Sequence, residues 1–176
     1  ISYGGSDEEC SMINNCFLPA MAQFDQKDSP LSLPAMEHDI NPVAREYLGF
    51  LLKGNRNSAM ELIMGLARDG MPVKNIYTNI FQPVQYEIGR LWQTNQISVA
   101  QEHYSTGATQ LIMSQLYPFL FTGLRKERKM VTTCVPGELH ELGARMVTDF
   151  FEMEGWDTYY LGANMPVDGV MRYIRE

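Results

Sequence analysis

Apolar residues between positions 42 and 121 return at steps of three and four, the spacing of one helix face. The clearest run is Val73, Ile76, Tyr77, Ile80, Phe81, Val84, Ile88 and Leu91. Four helices are predicted, over 42–53, 57–68, 72–93 and 99–121. Pro42 and Pro72 suit first helical positions, while Gly54 and Gly70 suit stops. Pro83 lies inside the third helix and should kink it or remove a hydrogen bond. Ser98 and Gln101 have the spacing of a capping box that opens the fourth. Short loops between four helices predict a four-helix bundle over residues 42–123. The charged stretch Arg125-Lys126-Glu127-Arg128-Lys129 reads as a solvated linker.

From residue 128 the pattern changes. A strand at 130–135, a helix at 140–154, a strand at 158–161 and a helix at 167–175 make one βαβα run. The expectation is the N-terminal part of a doubly wound, flavodoxin-like α/β domain over 128–176, incomplete because such a sheet needs about five strands. Residues 1–41 are rich in Asp, Ser, Asn and Pro without a sustained period, and read as a tail or linker. The fold class is therefore α plus α/β, a helical bundle followed by a truncated doubly wound domain.

Composition narrows the function classes. At 45% hydrophobic, 176 residues can bury a real core. A net charge of -7 argues against direct nucleic-acid binding by this segment. No apolar run reaches the roughly 20 residues of a membrane span, and no signal peptide is visible. Cys10, Cys16 and Cys134 show no metal-ligand spacing and cannot all pair, which fits a reduced, cytoplasmic setting. The 12 methionines are core filler or the wall of a large apolar pocket.

Two motifs carry chemistry. In Glu138-Leu139-His140-Glu141-Leu142-Gly143, a strand turns through Pro136-Gly137 into a helix, at the sheet edge where open α/β folds bind ligands. Glu138 stands two residues before His140 and can accept a ring N–H, leaving the other nitrogen unprotonated as a metal ligand. Gly143 has no Cβ and lets a bulky group approach the backbone. Separately, Trp92 is followed after nine residues by Glu102 and His103. Trp92 falls in the last turn of one helix, and Glu102 and His103 in the first turn of its antiparallel neighbour, so a tight turn gathers them at one bundle end.

The first motif resembles the Asp-x-His-x-x-Gly signature of cobalamin-binding domains, with Glu138 in place of aspartate. The second resembles the cobalamin-dependent photoreceptors, the CarH-type light-sensing regulators, and the likeness spans about residues 42–176. The resemblance implies an adenosylcobalamin chromophore, with His140 as lower axial ligand of cobalt and Glu138 behind it. It implies Trp92 against the adenosyl group and Glu102 as its hydrogen-bond partner. It implies signalling by photolysis of the cobalt–carbon bond to a regulatory output domain or protein partner, without enzymatic turnover, and is compatible with a homo-oligomer. The family's later Ser-x-Leu and Gly-Gly motifs are not found before Glu176. Gln93 stands where the best-studied photoreceptors carry a histidine after the motif tryptophan, which leaves either a water-ligated, more readily lost cobalamin or capture by His103 after illumination. Two alternatives stay open: a corrinoid methyl carrier of a methyltransferase system, loaded with methylcobalamin, and a cofactor-free interaction module.

Overall fold

The computed structural model describes residues 40–120 and 123–175. The tail expected over 1–41 lies outside these, save Ile40 and Asn41; Cys10 and Cys16 lie outside as well. Helix α1 (Pro42–Leu52) opens on proline, with the Asn41 side chain accepting the Ala44 N–H at 2.8 Å. Its buried stripe is Ala44, Tyr47, Leu48, Leu51 and Leu52. Helix α2 (Arg56–Arg68) starts one residue earlier than the sequence suggests, because Asn55 caps it through Ser58 N–H. Gly54 and Gly70 take the positive φ that ends each helix (69° and 90°).

The third predicted helix is three pieces end to end: α3 (Val73–Ile76), a π-helical turn (Tyr77–Phe81) and α4 (Gln82–Gln93). Pro72 is the residue before the helix rather than its first member. Pro83 explains the irregular turn. It has no N–H for the carbonyl four residues back, that of Asn79, and its ring crowds that carbonyl. Asn41 Nδ2 supplies the missing donor at 2.6 Å. The wider turn points Tyr77 and Phe81 inward together, and both are fully buried.

Helix α5 (Val99–Leu116) opens on the expected capping box, Ser98 with Gln101. It stops short of residue 121 because Pro118 cannot continue it, and a 3₁₀ turn (Tyr117–Phe119) follows. The helices enclose one core that also includes Ile40; α1 contacts α2, α4 and α5, and α5 contacts α2 and α4.

Strands β1 (Lys129–Thr132) and β2 (Asp157–Tyr160) pair in parallel, Lys129 opposite Asp157 and Thr132 opposite Tyr160. Helix α6 (Leu142–Met153) joins them and α7 (Val167–Arg175) follows. This is one βαβα run, as the sequence indicates; β1 is two residues shorter than predicted, and β2 has its predicted length but starts one residue earlier. Helix α6 is shared between the two parts of the molecule. It packs on both strands, while Leu142, Met146, Phe150 and Met153 pack against the helical core.

The stretch 125–129 is exposed along its length, as expected, but it is also tied to the residues around the end of α6. Arg125 Nη1 donates to Glu152 at 2.7 Å and to the Trp156 carbonyl at 3.1 Å. Lys126 N–H meets the Gly155 carbonyl at 2.6 Å, and the Arg128 guanidinium lies over the Trp156 ring. Arg125, Lys126 and Arg128 thus clasp the end of α6 and the start of β2. Among the described residues, no helix is long and apolar enough to cross a membrane.

Candidate functional site

The loops after β1 and β2 lie side by side at the carboxyl edge of the sheet, and backbone bonds stitch them. Cys134 N–H donates to Gly162 O at 3.1 Å, and Asn164 N–H to Glu138 O at 3.1 Å. Gly137 N–H donates to Asn164 Oδ1 at 2.8 Å. Gly137 (φ 86°) and Asn164 (φ 52°) adopt the left-handed conformation that this close turn requires.

On that platform Glu138 Oε1 accepts both the His140 backbone N–H (2.7 Å) and the His140 ring at Nδ1 (2.6 Å). These bonds, the backbone one first, hold the Glu138 carboxyl below its ordinary range. A carboxylate at Nδ1 fixes the proton there and leaves Nε2 with its lone pair. The His140 side chain is 91% exposed, so that lone pair faces open space. His140 lies in the loop, two residues ahead of α6, while Gly143 occupies the first turn. A Cβ at Gly143 would meet no atom within 4 Å, so the ground above that turn is clear.

The second motif lies at the end of the helical unit. Gln85 on α4 bonds Thr106 (3.1 Å) and Thr109 (2.8 Å) on α5. In antiparallel helices that pairing puts Trp92 level with about residue 100, within roughly one turn of Glu102. Gln85, Gly89 and Trp92 share a stripe at i, i+4, i+7, as do Glu102, Thr106 and Gln110 at i, i+4, i+8. Trp92 is 43% exposed, unusual for a tryptophan in a packed helical protein. Glu102 is held by Thr106 at 3.1 Å on one oxygen and by His103 Nδ1 on the other. Behind them Tyr47 and Thr109 bond at 2.9 Å in the core, and burial pushes the Tyr47 hydroxyl far up, so it stays protonated.

No bond among the described residues joins Trp92, Glu102 or His103 directly to Glu138, His140 or Gly143. The link runs through residues that the motifs did not single out. Gln110 lies eight residues from Glu102, about 12 Å along α5, and its Nε2 donates to Glu141 Oε1 at 2.8 Å. Glu141 is the residue after His140. Its other oxygen accepts the Ala163 N–H at 3.1 Å and the Tyr160 hydroxyl at 3.2 Å. Arg145 braces the same joint, donating to Gln110 O and Ser114 Oγ. The signal for Gln85, Thr106 and Gln110 is faint but present: polar residues at helical spacing on a face bordering the core.

Comparison with known proteins follows from this geometry. Residues 43–117 match the family described as the B12 binding domain. The HTH-type transcriptional repressor CarH of Myxococcus xanthus is 25% identical over 105 residues, 59% of this chain and 34% of the repressor. The structure of the monomethylamine corrinoid protein of Methanosarcina barkeri superposes with a TM-score of 0.65 at 22% identity, over 76% of this chain and 63% of that one. The methanol:cobalamin methyltransferase complex MtaBC of the same organism gives a TM-score of 0.49 at 12% identity, over 99% and 67%. The chain thus spans about a third of the repressor's length and less than two thirds of the corrinoid protein's.

Proposed function

We propose that this chain, whose residues 43–117 match the B12 binding domain family, holds adenosylcobalamin between the helical unit and the His140 loop and works as a light sensor. The donor set supports the fit. Among the described residues no group of three or more His, Cys, Asp or Glu is placed to hold a bare ion. His140 would be the residue to hold a macrocycle-bound cobalt, since it offers an exposed, oriented imidazole. Glu138 fixes the ring, and Gly143 leaves room for a wide planar group.

In this reading the helical unit is a four-helix cap, and the βαβα run is the start of a doubly wound cobalamin domain. When bound, the cofactor would supply a cobalt–carbon bond that visible light can break. Trp92 offers an aromatic wall to an adenosyl group, and Glu102, already set by Thr106 and His103, offers a carboxylate to its hydroxyls or amine. Both side chains are free to relax once nothing fills the space between them. The helical unit then shifts against α6, and a regulatory output domain or partner protein reads the change. With Gln93 after Trp92, His103 would offer the imidazole that could hold the metal after light, through the Nε2 that Glu102 leaves free.

The α4–α5 face carries the choice of adenosyl form. A second reading, a corrinoid methyl carrier, is favoured by the fold shared with the monomethylamine corrinoid protein. Architecture serves both readings; the exposed Trp92 beside a preset carboxylate suits the first. Absorption spectra taken with adenosylcobalamin before and after green light, and affinities for adenosyl- against methylcobalamin, decide. A spectral change under light and a preference for the adenosyl form are expected. Equal affinity and no light response would leave the carrier reading.

A further inference from the structure

We infer that Glu141 is a positioning residue: it fixes where the His140 loop stands relative to the helical unit. Its importance for the cofactor rests on the cobalamin reading above, but its anchoring does not. Glu141 immediately precedes α6, yet its side chain makes no capping bond to that helix. It turns outward and collects donors from three other segments: Gln110 Nε2 on α5, the Tyr160 hydroxyl on β2 and the Ala163 N–H in the loop beyond. These three donors are neutral, and they satisfy the carboxylate through charge-assisted bonds.

The surroundings are shaped to this carboxylate. Gly162 takes φ 81°, a conformation that favours glycine, and a Cβ there would lie in ordinary contact with Glu141 Oε2 at 3.4 Å. The Tyr160 hydroxyl also reaches the Glu141 carbonyl at 3.1 Å. Burial first, and the Glu141 charge second, push that phenol far up, so it remains a donor. Gln110 is gripped twice, its carbonyl by Arg145 and its amide by Glu141.

Glu138 sets the direction of the His140 ring; Glu141 sets the place from which it points. The same carboxylate ties that place to the α5 stripe carrying Thr106 and Glu102. Movement at either end of the stripe therefore has a bonded path to the other.

Three variants test this. Glu141→Ala removes the acceptor. Glu141→Gln keeps an oxygen for Ala163 and Tyr160, and Gln110 can turn its amide to restore the third bond. Gln110→Ala cuts only the tie to α5. Amide exchange in the cofactor-free protein reads the anchoring, with Ala163 N–H and segment 137–140 as reporters. Titration with hydroxocobalamin, with nitrogen splitting in the electron spin resonance of cob(II)alamin on ¹⁵N-histidine-labelled protein, reads the position of His140. In Glu141→Ala we expect at least tenfold faster exchange at Ala163 and 137–140, and about 10 to 100-fold weaker histidine-ligated binding. Glu141→Gln should stay within a few-fold of wild type in both. Gln110→Ala should keep the loop protected but weaken binding. Unchanged loop exchange in Glu141→Ala overturns the anchoring whatever cobalamin does. Faster exchange with undiminished affinity overturns the positioning role. If wild type itself takes no cobalamin onto His140, the proposed function falls, and loop exchange still decides the anchoring.

Discussion

Tyr77→Phe isolates one bond between the helical unit and the helix that follows the candidate site. The Tyr77 hydroxyl, in the π turn, donates to Asp149 Oδ2 on α6 at 2.7 Å, and both side chains are buried. The substitution keeps the ring and its contacts with Phe81 and Phe150 (centroids 5.5 and 5.9 Å), so packing is nearly unchanged. What is lost is a hydrogen bond to a buried carboxylate, about 1.5–3 kcal/mol when the acceptor is charged and about 0.5–1.5 when it is neutral. Burial raises the Asp149 carboxyl above its ordinary 3.8, with Glu152 adding to the rise; the Tyr77 bond and Arg145 pull it down. An acid raised on folding holds its proton more tightly in the folded state, so its contribution to stability falls as pH climbs from the ordinary value through the folded one. Removing the Tyr77 hydroxyl raises the folded value further and extends that window upward. Urea unfolding of wild type and variant at a series of pH values from 5 to 8, followed by circular dichroism, should show a deficit that grows with pH, to about 2 kcal/mol at neutrality. A loss under about 0.5 kcal/mol at neutral pH, or one that shrinks as pH rises, would refute the buried-carboxylate argument.

Three further outcomes are expected. His140→Ala should abolish histidine-ligated cobalamin binding, and Glu138→Ala should weaken it about 10 to 100-fold; a wild-type spectrum from His140→Ala would remove the ligand assignment. Trp92→Ala should erase about 1–3 kcal/mol of preference for adenosyl- over methylcobalamin, by analogy with base stacking on aromatic side chains, as read by paired titrations. Gly155→Ala should destabilise by upwards of about 1 kcal/mol, since φ is 85° and the new Cβ would sit 2.5 Å from the Leu124 carbonyl; thermal melts check this, and an unchanged Tm would contradict the placement of the 125–129 clasp.

Periodicity revealed the helices because each buries one stripe, and the capping box announced α5 because its bonds are local. Glu138 and His140 were legible for the same reason, being two residues apart. The π turn was harder: Pro83 signals a disturbance, but its form depends on Asn41, 38 positions from Asn79. The ties of the exposed stretch 125–129 were not legible because its partners lie about 30 residues away. Glu141 went unnoticed inside its own motif, since Gln110 is 31 residues before it and Ala163 is 22 after. Charge runs and lone polar residues look alike in a sequence whether they face water or a distant donor.

Asn41 does two things at once. One side-chain atom starts α1, and the other completes the carbonyl that Pro83 leaves open in the π turn. Through that turn an aromatic line runs Tyr47–Phe81–Tyr77–Phe150, from α1 to α6. Ile40, beside Asn41, is itself part of this core. A pull or twist on the backbone there loads the least regular turn of the rod that ends in Trp92, and reaches the helix behind His140 without passing through solvent.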